Sequence, residues 1–214
     1  MKSTRLFFSL FFAIVLLHAA AATAASIDMN DPRRALGRAD DVRVDAQLVQ
    51  DSISPGAPIG VTYQIQNFTA TPVAVADKVS DASYDSDSRT ITVSLGSEVP
   101  SERLPHLVLI APGEKKVLRG AAMCALNAAA IRNSLAAAPR YVQVKVTILR
   151  DLAPFLPLIQ KQTQAPAAAQ TLPDELFDRW LESNDTIYLN ALPVQWAPRT
   201  RNSGGADAEQ SGTF

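Results

Sequence analysis

The sequence predicts a mainly β protein, an antiparallel two-sheet sandwich with two inserted helices. Three observations predict it. About eight short runs alternate apolar with polar residues, the pattern of strands wet on one face and buried on the other. Clusters of Pro, Gly, Asn, Asp and Ser separate these runs at short intervals, as in all-β folds. One run is unambiguous: in 141–149, Val142, Val144, Val146 and Ile148 take one face, and Tyr141, Gln143, Lys145 and Thr147 the other.

The chain opens with a targeting signature. Lys2 and Arg5 precede an apolar run, 6–17, and Ala22-Thr23-Ala24 follows as a small-residue cleavage site. Residues 1–25 are expected to be a secretory signal peptide, too short to span a membrane as a helix. Residues 26–41 are polar, with Arg33, Arg34 and Arg38 ahead of Asp40 and Asp41, and read as a flexible lead-in. The sandwich itself is expected over 42–198, with a helical insertion at 150–183, and residues 199–214 read as a disordered tail.

Within the sandwich, Val42, Val44, Ala46 and Leu48 alternate with polar neighbours, as do Ile59, Val61, Tyr63 and Ile65. Ser54-Pro55-Gly56-Ala57-Pro58 turns the chain between them, because proline presets φ and glycine accepts positive φ. A third strand follows Pro72. Residues 77–89 read as a polar loop. Its Asp81, Asp85 and Asp87 have calcium-loop spacing, but the central glycine and distal glutamate are missing, so a solvated turn is expected and no metal site. Strands are expected at 90–95 and 107–110, the second covered on both sides, and at 115–121. Met123, Leu126, Ala130, Ile131 and Leu135 share one helical face, which Pro139 ends. A short helical piece is expected around 155–161. A clear amphipathic helix follows at 172–182, with Thr171 and Asp174 as a capping box. The last strand is 186–196.

Composition excludes several functions. The formal net charge is −1 over 214 residues, and removing residues 1–25 takes away Lys2 and Arg5 and no acid, leaving −3. There is no basic excess to favour nucleic acid or an anionic membrane surface. Cys124 is the one cysteine, so no internal disulfide can form, and it reads as a small buried hydrophobe. His106 is the one histidine beyond the signal segment. A histidine pair for zinc is therefore impossible, and neither a nucleophile elbow nor a phosphate-cradling glycine loop occurs. No catalytic residue, metal or cofactor is expected. Asn67-Phe68-Thr69 and Asn184-Asp185-Thr186 match the glycosylation acceptor pattern. The alanine-rich signal and the lack of a disulfide framework favour a bacterial periplasmic or secreted protein, in which these are a strand end and a turn.

The candidate binding residues are Phe177, Trp180 and Leu181, the apolar stripe of the second inserted helix. Either they close an open end of the sandwich, or they present an aromatic anchor to a partner.

Three segments carry a resemblance. PGAPIGVTYQIQN at 55–67, APGEKKVL at 111–118 and YVQVKVTIL at 141–149 resemble bacterial immunoglobulin-like modules of the cell envelope, the adhesion-related and fibronectin-III-like groups. In those modules an early strand ends near an asparagine, a Pro-Gly-Glu turn opens a middle strand, and a valine-rich strand completes the core. Here Asn67, Pro112-Gly113-Glu114 and 141–148 hold those places. The resemblance spans 42–149 and 186–196; the helical segment 123–138 and the insertion 150–183 depart from it. It implies an immunoglobulin-like sandwich whose role is non-catalytic: binding or structural, with a protein or envelope component as partner. The rival expectations are a protease inhibitor presenting the loops 52–58 and 96–105, and an enzyme built around His106 and the acidic loops.

Overall fold

The computed structural model describes residues 27–78, 80–96, 104–126, 138–165 and 172–197. In chain order its strands are β1 (Arg34–Ala39), β2 (Val42–Leu48), β3 (Ser52–Ile53), β4 (Ile59–Asn67), β5 (Val73–Ala76), β6 (Ser80–Asp85) and β7 (Thr90–Leu95). They continue with β8 (Leu107–Ile110), β9 (Lys115–Ala122), β10 (Tyr141–Leu149), β11 (Asn184–Tyr188), β12 (Leu192–Pro193) and β13 (Gln195–Trp196). A 3-10 turn, Ala153–Phe155, leads into α1 (Leu156–Gln164), and α2 (Asp174–Ser183) precedes β11. No helix among the described residues is long and apolar enough to cross a membrane.

The strands form two main sheets. Sheet I runs β1-β2-β4-β9, antiparallel throughout. Sheet II runs β6-β7-β10-β5-β8, with β11 and β12 on the other side of β10. Pairing is antiparallel except for β7 with β10 and for the small β3–β13 ladder, which are parallel. A parallel neighbour requires a long return path. Here the chain passes through β8 and β9 before it reaches β10.

Both sheets feed one hydrophobic cluster. Val61, Tyr63 and Ile65 from sheet I meet Val93, Leu95, Val144, Val146 and Ile148 from sheet II, each no more than 1 % exposed. Burial of each such aliphatic side chain stabilises the fold by about 1.5–3 kcal/mol. Gly120 sets the spacing between the sheets on the β9 side, because a Cβ there would lie 2.6 Å from Leu95 Cδ2. A second cluster lies beneath the helices. Trp180, Phe155, Ile159 and Leu172 pack there on Ala74, Ala76, Leu107 and Leu149 of sheet II.

Several elements differ from the sequence expectation. The lead-in at 26–41 contains β1, fully paired with β2. Its inward residues, Ala35, Gly37 and Ala39, are too small to give an apolar signal. They are small because β1 runs against β11: a Cβ on Gly37 would sit 2.7 Å from the Tyr188 carbonyl oxygen. The polar stretch 77–89 contains β6, whose outward residues Asp81, Ser83 and Asp85 are exposed. The apolar run of β8 is an edge strand, paired with β5 alone among the described residues, and Leu109 is 36 % exposed. The last strand is broken into β11, β12 and β13. Helix α2 begins at Asp174 behind Pro173, with no side-chain cap among the described residues; Thr171 of the expected capping box lies outside them. Most of the helix expected at 123–138 lies outside the described residues; at its start Cys124 forms a strand bridge with Ala82.

Candidate binding surface

The three residues singled out on α2 separate. Trp180 is 1 % exposed and meets Phe155 edge to face, ring centroids 5.6 Å apart. Phe177 is half-buried against the same cluster, and Leu181 is 47 % exposed. The stripe closes over sheet II, and an exposed aromatic anchor at Trp180 is not what the fold presents. The physical reason is the alanine surface of β5: Ala74 and Ala76 leave room above the sheet that only large side chains fill.

The other candidates are held locally. His106 Nδ1 lies 2.8 Å from Asp77 Oδ1. The Asp85 carboxylate accepts hydrogen bonds from Ser88 Oγ at 2.6 Å and the Asp87 amide at 3.0 Å, and these hold its pKa below the usual value. Asp81, Asp85 and Asp87 do not converge, and no group of three potential metal ligands occurs among the described residues. Cys124 is buried; burial first, and Asp81 second, raise its thiol pKa. Asn67 is 0 % exposed and its amide is fully engaged, donating to the Thr71 and Ile110 carbonyls and accepting from the Thr69 amide and hydroxyl. It is a structural pin joining β4 to β8. The loop after β3 is a turn closed by the Ala57 amide on the Ser54 carbonyl. Residues 97–103 of the second inhibitor-type loop lie outside the described residues.

The feature that sequence reading missed is the outer face of sheet I. Alternation turns Arg34, Leu36 and Arg38 outward from β1, Arg43, Asp45 and Gln47 from β2, Thr62, Gln64 and Gln66 from β4, and Lys115, Val117 and Arg119 from β9. Register then sorts them into three cross-strand rows. Arg34, Gln47, Thr62 and Arg119 form one, and Arg38, Arg43, Gln66 and Lys115 form another. Between them run Leu36, Asp45, Gln64 and Val117. Five cations and one carboxylate thus face outward, and Arg38 is paired with Asp41 of the β1–β2 turn at 3.2 Å, which leaves a local surplus of three positive charges in a chain whose formal net charge is −1.

Asp45 organises this face. It is 1 % exposed, and its Oδ1 accepts from Arg34 Nη2 at 2.8 Å and Arg43 Nη2 at 3.1 Å, while Gln64 Nε2 reaches Oδ2 at 3.5 Å. One buried carboxylate holds two guanidiniums, so charge on the pair is not cancelled and their planes are fixed. At the margin Asp31 is neutralised by Arg33; hydrogen bonding from that side chain holds the Asp31 carboxyl well below the usual range. Lys115 and Arg119 are exposed and make no ion pair among the described residues. The outer face of sheet II is different: Thr90, Thr92, Tyr141, Gln143, Lys145 and Tyr188 carry hydroxyls and amides with a single cation, and β6 adds Asp81, Ser83 and Asp85 to it.

No protein-family model, no curated protein and no solved structure matches this chain.

Proposed function

We propose that this protein is a non-catalytic, exported immunoglobulin-like binding protein of the bacterial cell envelope, and that it binds through the outer face of sheet I. The observation that carries the reading is the segregation of charge onto that face. Arginines cost side-chain entropy to order, yet Arg34 and Arg43 are already fixed by Asp45. A preorganised cationic surface loses less on binding than a floppy one. Leu36 and Val117 add apolar contact between the basic rows. The immunoglobulin-like reading is supported by strand order, with β2-β4-β9 in one sheet and β11-β10-β5-β8 across the other. The signal sequence supports export.

The test is affinity capture from the envelope fraction of the native cell, using wild type beside a Lys115→Glu/Arg119→Glu variant. Both side chains are exposed and make no ion pair among the described residues, so the variant should melt like wild type. The reading expects a partner that wild type retains, that the variant loses, and that rising salt releases. Recovery that is equal for the two proteins and insensitive to salt overturns it.

A further inference from the structure

The sheet edges are not treated alike. At β1, the Leu36 amide donates to Asn190 Oδ1 at 2.6 Å, and the Leu36 carbonyl accepts from the Asn190 amide at 3.1 Å. At β8, the Leu107 amide donates to Gln162 Oε1 at 3.2 Å, and the Leu109 carbonyl accepts from Lys116 Nζ at 3.0 Å. At β6, Cys124 bridges to Ala82. Strand edges invite pairing with other chains, and covering them with side chains or segments is how folds avoid it.

Strand β9 leaves three alternate residues open in a row. The Asn67 amide donates to the Glu114 carbonyl and the Asn67 carbonyl accepts from the Gly113 amide, so Asn67 turns its backbone groups toward β9. In an antiparallel ladder every second residue along a strand faces the same neighbour. Lys116, Leu118 and Gly120 therefore point their backbone groups at β4, while Lys115, Val117, Arg119 and Ala121 point theirs outward. The Ala121 carbonyl is taken by Ser80 Oγ at 2.6 Å. The amides and carbonyls of Lys115, Val117 and Arg119 have no hydrogen-bond partner among the described residues. These are the same three residues whose side chains complete the cationic face.

We infer that β9 accepts an extended, acidic segment of a partner polypeptide as a fifth strand of sheet I. This rests on the reading above that the outer face of sheet I is the binding surface, and it names the partner's chemistry. The ladder supplies affinity and the side chains supply selectivity, as in other strand additions. An incoming strand places residues directly opposite Lys115, Val117 and Arg119. The complementary pattern is acidic, apolar, acidic at alternate positions, the two acids roughly 14 Å apart along the strand. A second copy of this chain is the wrong occupant. Antiparallel self-pairing centred on Val117 sets Lys115 against Arg119, which like-charge repulsion opposes. A polysaccharide or lipid headgroup matches the charge and leaves the open ladder unused.

The test uses the mature chain and a synthetic peptide built around Glu-Thr-Val-Thr-Glu, with its Lys-Thr-Val-Thr-Lys counterpart as control. Amide exchange is followed residue by residue. In the free protein the amides of Lys115, Val117 and Arg119 should exchange fast, and those of Lys116, Leu118 and Gly120 slowly. The acidic peptide should slow the first three, and the basic peptide should not. Val117→Pro blocks the ladder while leaving every charge in place, and an outward-facing edge amide is where a strand tolerates proline. It should weaken the acidic peptide by about tenfold or more, the loss of one or two backbone hydrogen bonds. Slow exchange at all three outward amides in the free chain overturns the inference, because another segment or copy already occupies the edge. Full peptide binding by Val117→Pro, combined with loss in Lys115→Glu/Arg119→Glu, also overturns it while leaving the binding face standing. Full binding by both variants removes face and edge together. The exchange pattern in wild type decides the matter even if the proline variant fails to fold.

Discussion

Replacing Trp180 by alanine tests whether α2 is part of the core. The indole is 1 % exposed and sits edge-on to Phe155, itself 0 % exposed, over the alanines of β5. Truncating a buried tryptophan costs about 3–5 kcal/mol from lost transfer free energy and the cavity left behind. One contribution runs the other way. The Trp180 Nε1–H group is buried with no acceptor among the described residues, so no hydrogen bond is lost and a desolvation cost of about 1–3 kcal/mol is relieved. The expected net loss is about 2 kcal/mol. For a chain of this size that lowers Tm by about 4–8 °C. Trp180→Phe separates the two contributions. It keeps a ring against Phe155 and removes the orphaned N–H, so it should cost less than about 1 kcal/mol. Urea titration of wild type and both variants, with m compared across them, measures these differences. An alanine variant within about 0.5 kcal/mol of wild type would refute a core role. A phenylalanine variant as unstable as the alanine one would mean that the N–H has a partner.

Three further outcomes are expected. Gly120→Ala should destabilise by about 1–3 kcal/mol, since its Cβ would lie 2.6 Å from Leu95 Cδ2; a double-mutant cycle with Leu95→Ala should show favourable coupling above about 0.5 kcal/mol, and additivity would place the strain elsewhere. Asn67→Ala should lower the urea midpoint by the equivalent of about 2–3 kcal/mol, because the buried Ile110 carbonyl loses its donor. Tyr63 gives a pH signature. Burial first, and the Asp77 charge second, raise its phenol pKa above the ordinary 10.0. The fold thus favours the neutral phenol: this contribution is complete below about pH 10 and is lost as pH rises further. Tyr63→Phe should flatten that alkaline loss of stability in melts taken across pH, and an unchanged slope would exclude Tyr63 as its source.

Much of the framework was legible. Strands β2, β4, β7 and β10 bury β-branched side chains on one face, so the period of two stands out from the chain itself. Helices α1 and α2 were legible from their breaks and, for α2, its stripe. Strand β1 was not, because close approach to β11 demands alanine and glycine where a strand usually shows valine or isoleucine. Strand β6 was hidden by its aspartates and serines, which its position at the sheet edge allows. The expectation for β8 erred oppositely: a continuous apolar run suggested cover on both sides, yet the run lies at an edge.

The candidate site was illegible for a related reason. Asp45 and its partners Arg34 and Arg43 are close in sequence, but nothing local says that this carboxylate is buried or that Lys115 and Arg119 complete its face. Net charge pointed away from a cationic surface because it sums over faces that the fold separates. The sequence alone determined which residues alternate and where the chain turns. These follow from side-chain period and backbone preference within a few residues. Tertiary structure alone decided which strands pair, which edges are capped, and where like charges gather. Those depend on register between segments dozens of residues apart, and no local pattern encodes them.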